Sequence, residues 1–207
     1  MICMKKYCVT INRQFGSLGR PIAREVSEIL GVEYYDRDIV EQTSKKLNLP
    51  VSTISNQEET GFKSNFFNML FPLGDSSKDK QNKIFKAESQ IILNLADKES
   101  CIIVGRCADF LLRDHKNCLN IFIYASKEAR FENCVKTLKM RPEEARKMIT
   151  EVDRARNTYY KNYAGYSMED IKNKHIMIDS SLFGVQGTAH ILSEIIKKIL
   201  INYIYMI

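Results

Sequence analysis

The feature that most limits the folds open to this chain is the alternation of short apolar runs with amphipathic helical patterns. Five runs stand out: "YCVTI" at 7–11, "VEYY" at 32–35, "CIIVG" at 101–105, "LNIFIYA" at 119–125 and "HIMID" at 175–179. Most are nearly unbroken apolar stretches, as expected of strands covered on both faces. Between them, "RPIAREVSEILG" places Ile22, Ala23, Val26, Ile29 and Leu30 on one helical face, with Gly31 as its stop. "SKEARFENCVKTLK" offers Ser126 as N-cap and Glu128 in the first turn. A third helix is expected from Pro142, a first-turn residue, and a fourth over "GVQGTAHILSEIIKKIL". Strands alternating with helices imply a parallel sheet joined by right-handed crossovers. The expectation is an α/β fold: a five-stranded parallel sheet with helices on both faces, as one domain over residues 1–207. Two stretches interrupt the plain unit. Residues 36–98 form a mostly helical excursion whose middle, "FPLGDSSKDKQNK", reads as a polar loop. Residues 138–170 form a second, Arg- and Tyr-rich helical excursion.

Composition narrows the function. Lysine plus arginine is 31 against 25 acidic residues, a net charge of +6 that suits anionic ligands such as nucleotides. The lysines are scattered rather than gathered in a stripe, so a nucleic-acid partner is not expected. The six cysteines (Cys3, Cys8, Cys101, Cys107, Cys118 and Cys134) form no C-x-x-C pair. They read as small core residues in a reducing compartment. No signal peptide is visible, and the C-terminal "IIKKILINYIYMI" is too short and interrupted to span a bilayer. The expectation is a cytoplasmic protein without a membrane partner. The apolar C-terminus reads either as a buried final helix or as a homodimer contact.

The stretch "INRQFGSLGRPIA" lies between the first strand and the first helix, where a phosphate-binding loop belongs. The pattern G-x-x-x-x-G-K-[ST] is incomplete in it: the lysine and the hydroxyl are missing from their places. Gly16 and Gly19 keep the backbone open, and the following helix aims its N-terminal amides at the same spot. Arg13, Gly16, Ser17, Gly19 and Arg20 are the candidate donor-phosphate residues, with Arg20 supplying the missing charge, aided by Arg13. Ser17 is the nearest hydroxyl and the candidate for phosphate or Mg²⁺.

Three features, in this order, resemble the cytidylate-kinase-like family, a divergent branch of the P-loop nucleoside monophosphate kinases. They are "VTINRQFGSLGRPIAREVSEILGVEYYDRDIV", "CIIVGRCADFLLRD", and the run from "NIFIYASKEARFENCVK" through "MRPEEARKMITEVDRARNTYYKNYAG" to "MIDSSLFGVQGTAHIL". The resemblance spans nearly the whole chain apart from about residues 50–80. It implies a three-layer sandwich, with an NMP-binding excursion over 36–98 and a lid over 138–170. The implied enzyme is a kinase using ATP and Mg²⁺. It would transfer the γ-phosphoryl group to a nucleoside monophosphate or related small acceptor. The alternative is a nucleotide-binding protein with a degenerate loop and little turnover.

The resemblance assigns acceptor-phosphate binding to Arg106 in the "VGR" turn. The family aspartate that helps recognise cytosine is Cys107 here, with Asp109 nearby, so cytosine is not implied. At "YYDRDIV", Asp36 is present at the start of the NMP-binding excursion. The arginine six residues on is Gln42, leaving Arg37 as its substitute; Asp36 reads equally as a helix N-cap. In the second excursion Asp153, Arg156 and Tyr160 are spaced three and four, on one helical face. Arg156 joins Arg20 and Arg106 as a candidate catalytic cation. Arg141 and Arg146 read as solvated. Tyr34, Tyr35, Tyr159 and Tyr163 read as core or rim rather than base-stacking residues. Asp179 and Ser180 resemble the segment passing near adenine.

Overall fold

The structure, a computed structural model, describes residues 6–48 and 75–201. Its elements run β1 (Cys8–Arg13), α1 (Gly19–Leu30), β2 (Glu33–Tyr35), α2 (Arg37–Leu47), α3 (Asp75–Lys98), β3 (Cys101–Val104), the single turn α4 (Ala108–Leu111), β4 (Cys118–Tyr124), α5 (Lys127–Glu132), α6 (Pro142–Ala164), β5 (Ile176–Asp179) and α7 (Ser180–Ile196). Helix α5 runs on into a π turn at Asn133–Thr137.

The five strands form one sheet in the order β2-β3-β1-β4-β5, and every pair is parallel. β1 is central. The chain leaves it toward β3 and β2 on one side and returns to build β4 and β5 on the other. A crevice therefore opens at the carboxyl end of β1, where α/β sheets bind ligands.

Side-chain alternation explains the two layers of helix. Val9, Ile11, Ile102, Val104, Ile121 and Ile123 face one side, with Ile22, Ala23 and Val26 of α1 and Ala189, Leu192 and Ile196 of α7. Cys8, Cys101 and Ile103 face the other, with Ile39 of α2, Ile91, Ile92 and Leu95 of α3, and Leu112. Each large aliphatic side chain buried there contributes about 1.5–3 kcal/mol relative to exposure.

The expected punctuation is present. Gly31 ends α1 at φ 63°, the Ser126 side chain accepts from the Ala129 amide, and Pro142 opens α6 above Glu143 and Glu144. One expectation fails. The polar run at 71–83 is helical from Asp75 onward, and residues 71–74 lie outside the described residues. From Asp75 the run contains neither glycine nor proline, and its lysines and glutamine are good helix formers. Polarity there marks solvated helix turns rather than a loop.

Among the described residues, no helix is long and apolar enough to cross a membrane, and no group of three or more His, Cys, Asp or Glu side chains could hold a metal ion. Cys8, Cys101, Cys107 and Cys134 are buried and Cys118 is half-buried, all as free thiols. Cys3 and the C-terminal residues 202–207 lie outside the described residues.

Candidate functional site

The loop of residues 14–18 leaves β1 at the crevice. The Gln14 amide donates to Ile123 O at 3.0 Å, extending the β1–β4 pairing by one step. Gly16 sits at φ 80°, and a Cβ there would lie 2.8 Å from Arg130 O. Leu18 takes the left-handed conformation at the N-cap of α1, with φ 56°. At Gly19 the steric reason is different: a Cβ would meet Arg13 Cβ at 2.6 Å and Arg13 Cγ at 2.9 Å. The stem of Arg13 passes over Gly19, and its head reaches Gly105, where an added Cβ would lie 2.5 Å from Arg13 Nη1. Arg13 therefore spans the mouth of the crevice from β1 to β3.

Elements from the second half of the chain brace this loop. Arg156 Nη1 donates to Arg13 O at 3.2 Å, Asn133 Nδ2 to Gly16 O at 2.9 Å, and Arg130 Nη1 to Phe15 O at 3.3 Å. The Phe15 amide donates to Asp153 Oδ1 at 2.7 Å, and Asp153 Oδ2 pairs with the Arg130 guanidinium. The π turn brings Asn133 to the loop, and such turns often mark functional sites. Burial pushes the Asp153 carboxyl up, against the opposing pull of the Phe15 amide, Arg156 and Arg130.

On the β3 side, Gly105, Arg106 and Cys107 are consecutively left-handed, at φ 75°, 57° and 54°. Each non-glycine residue so held costs on the order of 1–3 kcal/mol, and such outliers cluster at functional sites. Arg106 Nη1 lies 3.2 Å from Oε1 of buried Glu88, whose Oε2 accepts from Tyr159 at 3.2 Å. Burial raises the Glu88 carboxyl, with Arg106 and Tyr159 opposing. Arg106 is thus paired with a buried carboxylate. A cation at this turn is held beside α3 by a partner 18 residues upstream in the chain.

The other sequence-predicted residues have separate partners. Arg20 lies beside Asp36, Nε to Oδ2 at 2.6 Å, and the Tyr34 hydroxyl donates to the same oxygen at 3.2 Å. Asp36 is therefore a partner of the loop's own helix, and the side chain of Arg37 lies outside the described residues. Ser17 is fully buried, and its hydroxyl is directed at Gln14 O at 2.9 Å and Ile123 O at 3.2 Å. It faces the protein interior, a second donor to carbonyls that the Ser17 and Gln14 amides already meet.

Tyr160 and Asp109 belong to a buried cluster. The Tyr160 hydroxyl lies 2.7 Å from both Asn12 Oδ1 and Asp109 Oδ1, and Asp109 Oδ2 pairs with Lys174, both side chains fully buried. They tie α6 to β1 and α4. Asp179 caps α7 through the Ser181 amide at 2.9 Å, and the Ser180 hydroxyl reaches Ser17 O at 2.7 Å. Arg146 lies over the Phe131 ring, 4.7 Å from its centroid.

Arg130, Glu88, Asn133 and Lys174 were not singled out from the sequence. Arg130 alone left a trace there, as an arginine in the helix that directly follows β4.

The site can hold a run of anionic oxygens. Arg13 and Arg156 offer forked, permanently charged donors. Gly16, Gly19 and Gly105 remove the side chains that would block close approach. A polyphosphate fits this donor set. Mg²⁺ needs few protein ligands when phosphates supply oxygens, and with Ser17 turned inward those oxygens and water would carry its coordination.

The sequence profile of the cytidylate kinase-like family matches residues 8–182. A search of curated proteins returned no match. Among solved structures, an uncharacterized protein from Eubacterium ventriosum ATCC 27560 superposes with a TM-score of 0.70 at 20% identity, covering 93% of this chain and 99% of its own. A shikimate kinase from Bacteroides thetaiotaomicron gives 0.54 at 10% identity, covering 92% and 98%. A gluconokinase from Sinorhizobium meliloti 1021 gives 0.52 at 12%, covering 98% of both chains. At these identities the likeness is one of fold.

Proposed function

We propose, from the premise that this chain belongs to the cytidylate kinase-like family, that it is a phosphotransferase. In this reading it binds the phosphates of ATP at the Arg13–Arg20 loop and passes the terminal phosphoryl group to a nucleoside monophosphate or a related small acceptor. The observation that carries the reading is the path of Arg13, whose stem crosses Gly19 and whose head ends at Gly105. That path brings a permanent charge to the crevice mouth, although the loop lacks its lysine.

Transfer of this kind needs positioned charge more than covalent help. An acceptor oxygen attacks the terminal phosphorus as the bond to the departing diphosphate breaks. Arg13 and Arg156 would steady the equatorial oxygens, while Arg106, held at its angle by Glu88, would meet the acceptor's anionic group. Bound Mg²⁺ would offset charge between the donor's phosphates. A cytoplasmic setting accords with cysteines that serve mostly as small buried core residues.

A second reading, nucleotide binding with little turnover, draws support from the inward-facing Ser17 hydroxyl. The test is ³¹P NMR of the protein with MgATP and a panel of nucleoside monophosphates and small hydroxy acids. Acceptor-dependent formation of ADP, reduced at least about 100-fold in kcat/KM by Arg13→Ala, is the expected result. ATP binding without transfer to any acceptor would favour the second reading. Absence of ATP binding would remove both.

A further inference from the structure

A backbone amide that is to receive a phosphate must, before the phosphate arrives, face water or a substitute. In this loop one amide has a substitute. Phe15 N–H donates to Asp153 Oδ1 at 2.7 Å, the other carboxylate oxygen pairs with Arg130, and the same Arg130 nitrogen reaches Phe15 O at 3.3 Å. One amide and one guanidinium converging on a single anionic group is the donor set that recognises a phosphoryl group. The carboxylate comes from the middle of α6, more than a hundred residues away in sequence. Gly16 lets this arrangement close, since a Cβ there would strike Arg130 O.

We propose that Asp153 is a resident stand-in for phosphate: it fills an anion seat made by the Phe15 amide and the Arg130 guanidinium, and an arriving polyphosphate displaces it. The inference rests on reading the loop as the donor site. A terminal phosphate carries more charge than one carboxylate and three acceptor oxygens instead of two, so it satisfies the seat better. The raised Asp153 carboxyl accords with this, since its burial outweighs what the Phe15 amide and Arg130 return. Displacement frees α6 at the loop while Tyr160, seven residues on, keeps the helix pinned to Asn12 and Asp109. Donor arrival is thereby signalled to the helix that carries Arg156.

The test is calorimetric titration of inorganic tripolyphosphate into the wild-type chain, Asp153→Asn and Asp153→Ala, with amide exchange of Phe15 followed in parallel. Asp153→Ala should bind tripolyphosphate about tenfold tighter than wild type, and Asp153→Asn, which keeps a neutral oxygen on the amide, should fall between. The Phe15 amide should be protected in the free wild type, unprotected in free Asp153→Ala, and protected again once tripolyphosphate binds. Equal or weaker binding in both variants, with wild type binding normally, would overturn the stand-in while leaving the donor site intact. Binding by none of the three proteins would remove the donor reading and the inference with it. If Asp153→Ala does not fold, Asp153→Asn decides alone: tighter binding than wild type supports the proposal, and unchanged or weaker binding overturns it.

Discussion

At the amino-terminal ends of β3, β1 and β4, three cysteines stand side by side. Cys101, Cys8 and Cys118 are register partners across the sheet, and the sulfurs of Cys8 and Cys101 are 3.6 Å apart. At the carboxyl ends of the same strands stand Arg13, the left-handed turn Gly105–Arg106–Cys107, and the loop that Arg130 and Asp153 brace. At the first end the strands meet through small thiols in regular strand pairing. Hydrogen bonding to Cys101 and Cys118, then burial, hold the Cys8 thiol well above its usual range. The second end keeps its charges in pairs and its backbone in uncommon conformations. A sheet needs only close packing to hold its strands together. Backbone strain of this kind clusters at functional sites.

The largest effect is expected at Lys174. Lys174→Met leaves the Asp109 carboxylate buried without its partner, and the expected loss is about 3–5 kcal/mol in urea denaturation. A loss under about 1 kcal/mol would mean that the pair is not a structural anchor. Gly16→Ala should cost about 2 kcal/mol, because φ is +80° and the new methyl carbon would lie 2.8 Å from a backbone oxygen. It should also slow phosphoryl transfer. Stability unchanged in this variant would show that the loop is not held against α5.

A third probe reads a slope. The folded Glu88 carboxyl is raised from its usual value of 4.5, so the folded state holds its proton longer than the unfolded state. Its contribution is fully present below about 4.5 and is lost as pH rises through the raised value. Glu88→Gln should therefore flatten the fall in stability from pH 4.5 upward, measured as melting temperature against pH. An identical slope in wild type and variant would assign that fall to other groups. The smallest effect belongs to the cysteine end: Cys8→Ala should cost about 1 kcal/mol and leave nucleotide binding unchanged. Altered nucleotide binding would show that the two ends are coupled through β1.

The sheet was legible in the sequence because its signal is local. All five apolar runs became strands, within two residues of their expected ends, because a strand covered on both faces must be apolar along its own length. Helix boundaries were equally local, set by Gly31, Ser126 and Pro142. The site was legible only as a list of residue types. Arg20 and Arg106 were visible as cations, but Asp36 and Glu88, which hold them, lie 16 and 18 residues away in the chain and meet them only through the fold. Arg130 escaped notice because an arginine in a solvated helix and an arginine turned toward a loop look alike in sequence. Asp153 and Tyr160 were correctly placed on one helical face. Spacing within that helix could not reveal that one meets a loop amide and the other a buried aspartate–lysine pair.

Arg13 is the last residue of β1 and is in register with Ile123 of the neighbouring strand. The charge it brings to the crevice is therefore mounted on the sheet, not on the helix that follows the loop. Changing the length of residues 14–18 would act first on α1 and Arg20, while strand register holds the Arg13 backbone in place. The chain has, in effect, separated the part that grips from the part that sets the gap. A family of loop-length variants could tune the reach of the site while the strand that carries its cation stays in register.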